Sequence, residues 1–153
     1  MNYLEFGQIA LKKKAILLKN SVIGTIAEMA EYLLDTNVLS KFFYGDAKIR
    51  HFLGGIDAGI NTVVYIELIQ GSIKKKDRET IKKGLAKLPY YALTPEVSRQ
   101  AIELIDEYSA ANGLFLADAL IASTAMSYDL VLVTYKIKHF RFIKELSVVE
   151  PKV

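Results

Sequence analysis

The sequence predicts an α/β fold in which a central, mostly parallel sheet of four to five strands is flanked by helices. Three observations support this prediction. Short apolar runs of strand length alternate with helical patterns along the chain. These runs are apolar on both sides, as in strands that helices cover on both faces of a sheet. The 153 residues and their 52% hydrophobic content suffice for one domain with a substantial core.

The first two predicted strands each lead to a carboxylate. The run 32–34 ends abruptly at Asp35, and the run 60–64 leads directly into a helix that carries Glu67 in its first turn. Ligand sites in open α/β sheets lie at the carboxyl ends of the strands. We therefore take both acids as candidate site residues. Each acid alone also has a purely structural interpretation, since acids cap helices and stabilise their N-terminal turns.

The other elements are predicted from apolar periodicity and from residues that begin or end helices. Thr94 is the expected N-cap of a helix that Pro95 opens. Asp118 lies in the first turn of an apolar helix, 116–128, that should be buried, so this acid requires a partner or a purpose. Further helices are predicted over residues 37–44, 47–54 and 77–86, and further strands over 90–93, 130–133 and 147–149.

The three acids are expected to meet at one edge of the sheet. Parallel strands end at the same edge, so Asp35 and Glu67 should approach Thr134, which follows the fourth strand, and Asp118 can join them. Neighbouring carboxylates repel one another unless they are protonated or a cation neutralises them. The chain has no cysteine and two histidines, so a hard, oxygen-seeking ion such as Mg²⁺ or Mn²⁺ fits best.

Such an ion implies hydrolysis of a phosphodiester. A bound divalent ion lowers the pKa of a water molecule and stabilises negative charge on a phosphoryl group. Polar residues around the acids can orient the ligands or the waters from a second layer. The candidates for this layer are Thr36, Asn37, Ser40 and Thr134. The net charge of +3 is compatible with nucleic acid but does not by itself indicate it.

Four segments of the sequence form a recognisable set: Leu33–Ser40, Ile66–Gly71, Leu116–Ala122 and Leu132–Thr134. In their order and spacing they resemble the PIN domain, and most closely the VapC-type ribonuclease toxins of bacterial and archaeal toxin–antitoxin pairs. The resemblance covers residues 30–151. It implies a PIN-like three-layer fold and a Mg²⁺-dependent endoribonuclease that cleaves RNA, usually forms a homodimer, and is held inactive by a cognate antitoxin protein.

The resemblance also implies roles for individual residues. Asp35, Glu67 and Asp118 correspond to the metal-binding, catalytic acids of the family, and Thr134 corresponds to its site threonine. The basic segment that follows resembles the part of the family that approaches RNA. Its candidate RNA-binding residues are Lys136, Lys138, His139 and Arg141.

One residue departs from the family pattern. Two positions after Thr134 the family usually carries Asn or Asp, whereas this chain carries Lys136. An ammonium group has no lone pair and cannot ligate a metal. If the side chain points into the site, it weakens the binding of a second metal or replaces its charge; if it points outward, little changes. We hypothesise a one-metal site with reduced or altered activity.

The chain is predicted to contain an N-terminal extension, residues 1–28, and a PIN-like domain, residues 29–153. The extension is either a simple appendage, a docking or dimerisation arm, or a fused remnant of an antitoxin. No run is long and apolar enough to span a membrane. A lysine cluster at 12–14 precedes a short apolar stretch, but no convincing cleavage site of a secretion signal follows, so we expect a cytoplasmic protein.

The leading functional hypothesis is therefore a Mg²⁺-dependent endoribonuclease toxin. The alternative is a catalytically weakened PIN-domain module that binds antitoxin or RNA without efficient cleavage, and Lys136 keeps this alternative open. A phosphatase that uses Asp35 as its nucleophile is less favoured, because Asn37 stands where such an enzyme would carry a second acid.

Overall fold

The computed structural model describes residues 30–153, so the predicted extension 1–28 lies outside the described residues. Five strands form one sheet in which every neighbouring pair is parallel. Their bounds are β1 Tyr32–Leu34, β2 Ala58–Asn61, β3 Tyr90–Tyr91, β4 Val131–Val133 and β5 Val148–Val149. The order across the sheet is β3-β2-β1-β4-β5. The prediction of a central parallel sheet is confirmed.

Six α-helices accompany the sheet in the described part of the chain. Their bounds are α1 Thr36–Phe43, α2 Ala47–Leu53, α3 Thr62–Gly71, α4 Lys75–Leu85, α5 Pro95–Asn112 and α6 Leu116–Ser127. A short 3-10 helix, Ile137–His139, follows β4. The central strands β1 and β4 are buried along their whole length, as is most of α6 after its first turn. The core therefore lies around the centre of the sheet, and α5 and α6 pack against each other beside it.

A side-chain cap begins α5 where the sequence predicts it. The Thr94 hydroxyl accepts a hydrogen bond from the Val97 amide, and Pro95 is the first residue of α5. This helix ends at Gly113, whose φ of +69° is a left-handed conformation that glycine adopts without steric cost. The boundaries of α5 thus follow from local chemistry, as predicted.

The predicted strand 60–64 is wrong in its second half. Strand β2 ends at Asn61, because the Asn61 side chain accepts a hydrogen bond from the Val64 amide and so caps α3, which begins at Thr62. The β-branched residues that suggested a strand are helical here. As a consequence Glu67 lies in the second turn of α3 rather than in the first turn. The third strand is also shorter than predicted, and α4 begins two residues earlier.

Among residues 30–153, none of the helices combines the length and the hydrophobicity required to cross a membrane.

Candidate functional site

Asp35 and Thr134 lie side by side at the carboxyl edge of the sheet. Strands β1 and β4 are adjacent and in register, with Leu34 opposite Val133, so the next residue of each strand emerges at the same edge. The Thr134 hydroxyl donates a hydrogen bond of 2.6 Å to Oδ2 of Asp35. Both residues are buried, with 1% or less of their surface exposed. The prediction that these two residues meet is therefore correct in the structure.

Two further donors complete the environment of the Asp35 carboxylate. The Thr36 amide donates to Oδ1 at 2.7 Å, which caps α1, and Nδ2 of Asn37 donates to Oδ2 at 2.9 Å. The Asn37 side chain also links the two strand ends, since its Nδ2 donates to the Thr134 hydroxyl at 3.1 Å and its Oδ1 accepts from the Tyr135 amide at 3.1 Å. Asp35 is thus fixed by three neutral donors, one backbone amide and two side-chain groups.

These donors do not fully compensate the burial of the Asp35 charge. Burial raises the pKa of the Asp35 carboxyl. The Thr134 hydrogen bond, the Lys136 charge and the Thr36 amide lower this pKa in part, while the charge of Asp118 raises it further. The net direction is upward, so the carboxylate form is disfavoured relative to water. A cation bound at this position would reverse that balance.

Asp118 faces two basic side chains that come from the segment after β4. Its Oδ1 lies 4.0 Å from Nζ of Lys136, and its Oδ2 lies 3.3 Å from Nδ1 of His139. The Asp118 side chain is 10% exposed, whereas those of Lys136 and His139 are 47% and 51% exposed. The sequence suggested an RNA-contacting role for His139 and gave no signal that its ring would lie against Asp118.

Glu67 joins the site indirectly. Its Oε2 accepts a hydrogen bond from the Thr36 hydroxyl, and Thr36 in turn binds Asp35 through its amide. A second contact fixes α3 against α6, because Nδ2 of Asn61 donates to the Thr124 hydroxyl at 3.0 Å. Neither Asn61 nor Thr124 was selected from the sequence, and the pairing could not be read from local pattern because 63 residues separate them.

The donor set fits an ion that uses few protein ligands. Among residues 30–153, no group of three or more histidine or acidic side chains is arranged so that all could hold one metal ion. Magnesium commonly binds through one or two carboxylates and keeps several waters. Asp35 and Asp118 supply two carboxylates, and the charge of Asp118 is close enough to raise the pKa of Asp35. Glu67 is connected to them through the Thr36 hydroxyl.

The remaining candidates lie outside this network. Within the described residues, the Ser40 hydroxyl has no hydrogen bond to the acids, and the Ser40 carbonyl accepts from the Tyr44 amide as part of α1. Lys138 and Arg141 are exposed in and just after the 3-10 helix. The structure therefore brings Lys136 and His139 to the acids and leaves Lys138 and Arg141 on the surface beside them.

A family model described as the PIN domain matches residues 32–142. Several solved structures are similar to the chain. One is from a toxin–antitoxin complex of Klebsiella pneumoniae, with 25% identity over 79% of this chain and 98% of that chain and a TM-score of 0.69. Another is from VapBC2 of Rickettsia felis bound to a DNA fragment from its promoter, with 25% identity, a TM-score of 0.68, and coverage of 78% and 97%.

DNA-bound VapBC from Salmonella typhimurium is similar in fold, at 22% identity and a TM-score of 0.70, with coverage of 81% of this chain and 100% of that chain. A comparison with curated proteins found no match.

Proposed function

Because this chain belongs to the PIN-domain family and has the fold found in VapC-type toxin–antitoxin structures, we propose that it is a metal-dependent endoribonuclease and the toxin of a toxin–antitoxin pair. The observation that carries this proposal is the buried Asp35 carboxylate, whose charge is undercompensated and which lies near a second acid, Asp118. Mg²⁺, or Mn²⁺ in its place, is the proposed cofactor, with Asp35 and Asp118 as its ligands and Glu67 as a supporting acid.

A divalent ion at these acids would activate a water molecule and stabilise negative charge on the phosphodiester. The other side chains of the site have separate tasks. Asn37 and Thr134 keep the Asp35 carboxylate in one orientation through their hydrogen bonds. Thr36 connects Glu67 to the same carboxylate. Each of these contacts orients an acid before substrate binds, so little reorganisation is required during the reaction.

The proposed partners are an RNA substrate, a cognate antitoxin protein and a second copy of this chain. The half-exposed side chains of Lys136 and His139 lie at the acids, where an RNA phosphate would arrive. Lys138 and Arg141 extend this basic surface. The antitoxin is proposed because two similar structures are those of a toxin–antitoxin complex from Klebsiella pneumoniae and of VapBC2 from Rickettsia felis. A cytoplasmic location follows from the same proposal.

The second candidate function is a module that binds RNA or antitoxin without efficient cleavage. The position of the Lys136 ammonium favours it. This group lies 4.0 Å from Asp118 and so interacts with one of the two carboxylates that a metal would use. Under this alternative the chain keeps the fold and the basic surface but binds divalent ions weakly.

An RNA cleavage assay with Mg²⁺ or Mn²⁺ distinguishes the two functions. We expect the native chain to cleave RNA, EDTA to abolish cleavage, and Asp35→Ala or Asp118→Ala to reduce it at least about 100-fold. Asp106→Ala is the matched control, since this exposed acid on α5 lies outside the site. Cleavage that persists in both site variants would exclude the metal-site function. RNA binding without cleavage by the native chain would select the second candidate.

A further inference from the structure

We propose that Lys136 is a resident counter-cation that limits the acidic site to a single divalent ion. The inference rests on the proposed function and specifies how many ions the site holds. It starts from the direction of the Lys136 side chain, which the sequence left open. The ammonium points toward the acids, with Nζ 4.0 Å from Oδ1 of Asp118.

The backbone of Lys136 is fixed by the same group that holds Asp35. The Lys136 amide donates a hydrogen bond of 3.0 Å to the Thr134 hydroxyl, which itself donates to Asp35. The preceding amide, that of Tyr135, is bound by Asn37. The side chain thus starts beside Asp35 and ends beside Asp118, and its charge acts on both acids, since it also lowers the pKa of Asp35. The site thus holds the backbone of Lys136, and the half-exposed side chain ends beside Asp118.

The charges of the site then favour one ion over two. Asp35, Asp118 and Glu67 contribute three negative charges when ionised, and Lys136 contributes one positive charge, which leaves a sum of −2. One divalent ion neutralises this sum. A second divalent ion would add an uncompensated charge close to an ammonium group that repels it and offers no lone pair. An acid at position 136 would change the sum to −4 and add two ligand oxygens, which matches two ions.

The same arrangement makes Lys136 a competitor for the single ion. The metal and the ammonium both interact with the Asp118 carboxylate, so an ion that binds there must displace or tolerate the ammonium. Replacing Lys136 by glutamine removes the charge and keeps most of the side-chain length. We expect this change to tighten the binding of one ion about tenfold, as expected for a charge several ångströms from a divalent ion near the protein surface.

The test is a Mn²⁺ titration of the full chain after removal of metals with EDTA, in which electron paramagnetic resonance measures the free ion. This readout does not depend on RNA cleavage. We expect one Mn²⁺ per chain for the native protein, one more tightly bound Mn²⁺ for Lys136→Gln, and two for Lys136→Asp. Lys138→Gln is the matched control, because it removes the same charge from an exposed lysine two positions along the chain. Circular dichroism checks that each variant is folded.

The outcomes separate this inference from the proposed function. Two ions in the native chain would overturn the inference, even if the chain cleaves RNA. One ion in Lys136→Asp, with the affinity of the Lys138→Gln control, would also overturn it. The absence of binding in every variant would overturn both the inference and the metal-dependent function. One ion in the native chain, with the expected changes in both Lys136 variants but without RNA cleavage, would support the inference and exclude the nuclease.

Discussion

The two acids at the centre of the site are held in opposite ways. Asp35 is buried and accepts hydrogen bonds from three neutral donors at 2.6 to 2.9 Å. Asp118 interacts with two basic side chains that are half exposed, at 3.3 and 4.0 Å. The donors to Asp35 belong to the strand ends and to the first turn of α1, whereas the bases beside Asp118 extend from the segment after β4. Asp35 is therefore part of the buried hydrogen-bond network of the fold, whereas the partners of Asp118 are replaceable.

This difference predicts that the two acids contribute differently to folding stability and to activity. Neutral donors that are buried with Asp35 leave unsatisfied groups when the acid is removed, and each such group lowers the free energy of folding. Contacts to half-exposed bases contribute little to stability, because water screens the base and because its side chain must be ordered. We therefore expect changes around Asp35 to affect folding and activity together, and changes around Asp118 to affect mainly metal binding and activity.

The largest expected effect is a loss of RNA cleavage. This loss should be equal in the variants of the two acids, whereas their losses of stability should differ. Asp35→Ala and Asp118→Ala should each reduce RNA cleavage at least about 100-fold. Asp35→Ala should also reduce the free energy of unfolding by about 2 kcal/mol, since three donors lose their acceptor, whereas Asp118→Ala should change it by less than about 1 kcal/mol. Urea denaturation measures both values. Equal losses of stability would remove the distinction between the acids.

A smaller effect is expected from the hydroxyl that joins the two strand ends. Thr134→Val keeps the shape of the side chain but removes a donor to Asp35 and an acceptor for Asn37 and the Lys136 amide. We expect a loss of about 1 kcal/mol in unfolding free energy. Thr80→Val is the control, because the Thr80 hydroxyl is exposed on α4 and donates to the Lys76 carbonyl instead of joining a buried network. A loss no greater than that of the control would show that the network is not stabilising.

The pH dependence of stability should distinguish Asp35 without reference to activity. Its folded-state pKa is raised by burial, so its contribution to stability is fully present below the unfolded-state pKa and is lost as the pH rises through the folded-state value. Without divalent ions, the stability of Asp35→Asn relative to the native chain should therefore increase as the pH rises through that window. Urea titrations at several pH values in EDTA measure this difference. A difference that stays constant with pH would contradict the prediction.

The smallest expected effect concerns the exposed base beside Asp118. His139→Gln removes the ring that lies 3.3 Å from Asp118. Because the His139 side chain is half exposed, we expect the unfolding free energy to change by less than about 0.5 kcal/mol. Thermal denaturation in EDTA measures the change. A loss as large as that of Thr134→Val would mean that the contacts of Asp118 stabilise the fold as much as those of Asp35.

Most of the fold could be predicted because its signals are local. The Thr94–Pro95 helix start and the break at Gly113 depend on neighbouring residues, and the structure confirms both. Each predicted apolar run overlaps a strand, although some of these strands are shorter than predicted. The prediction that a strand continues through residue 64 is wrong for a local reason as well. A cap at Asn61 outweighs the strand preference of the β-branched residues that follow it.

The sequence by itself determined which residues reach the edge of the sheet. Asp35 and Thr134 follow strands, and parallel strands end together, so their meeting across 99 residues could be deduced from order alone. Only the tertiary structure decided where the longer side chains point. Lys136 and His139 point toward Asp118, and Glu67 accepts a hydrogen bond from the Thr36 hydroxyl. These directions depend on the path of a turn and on the packing of helices, and no short-range pattern in the sequence specifies either.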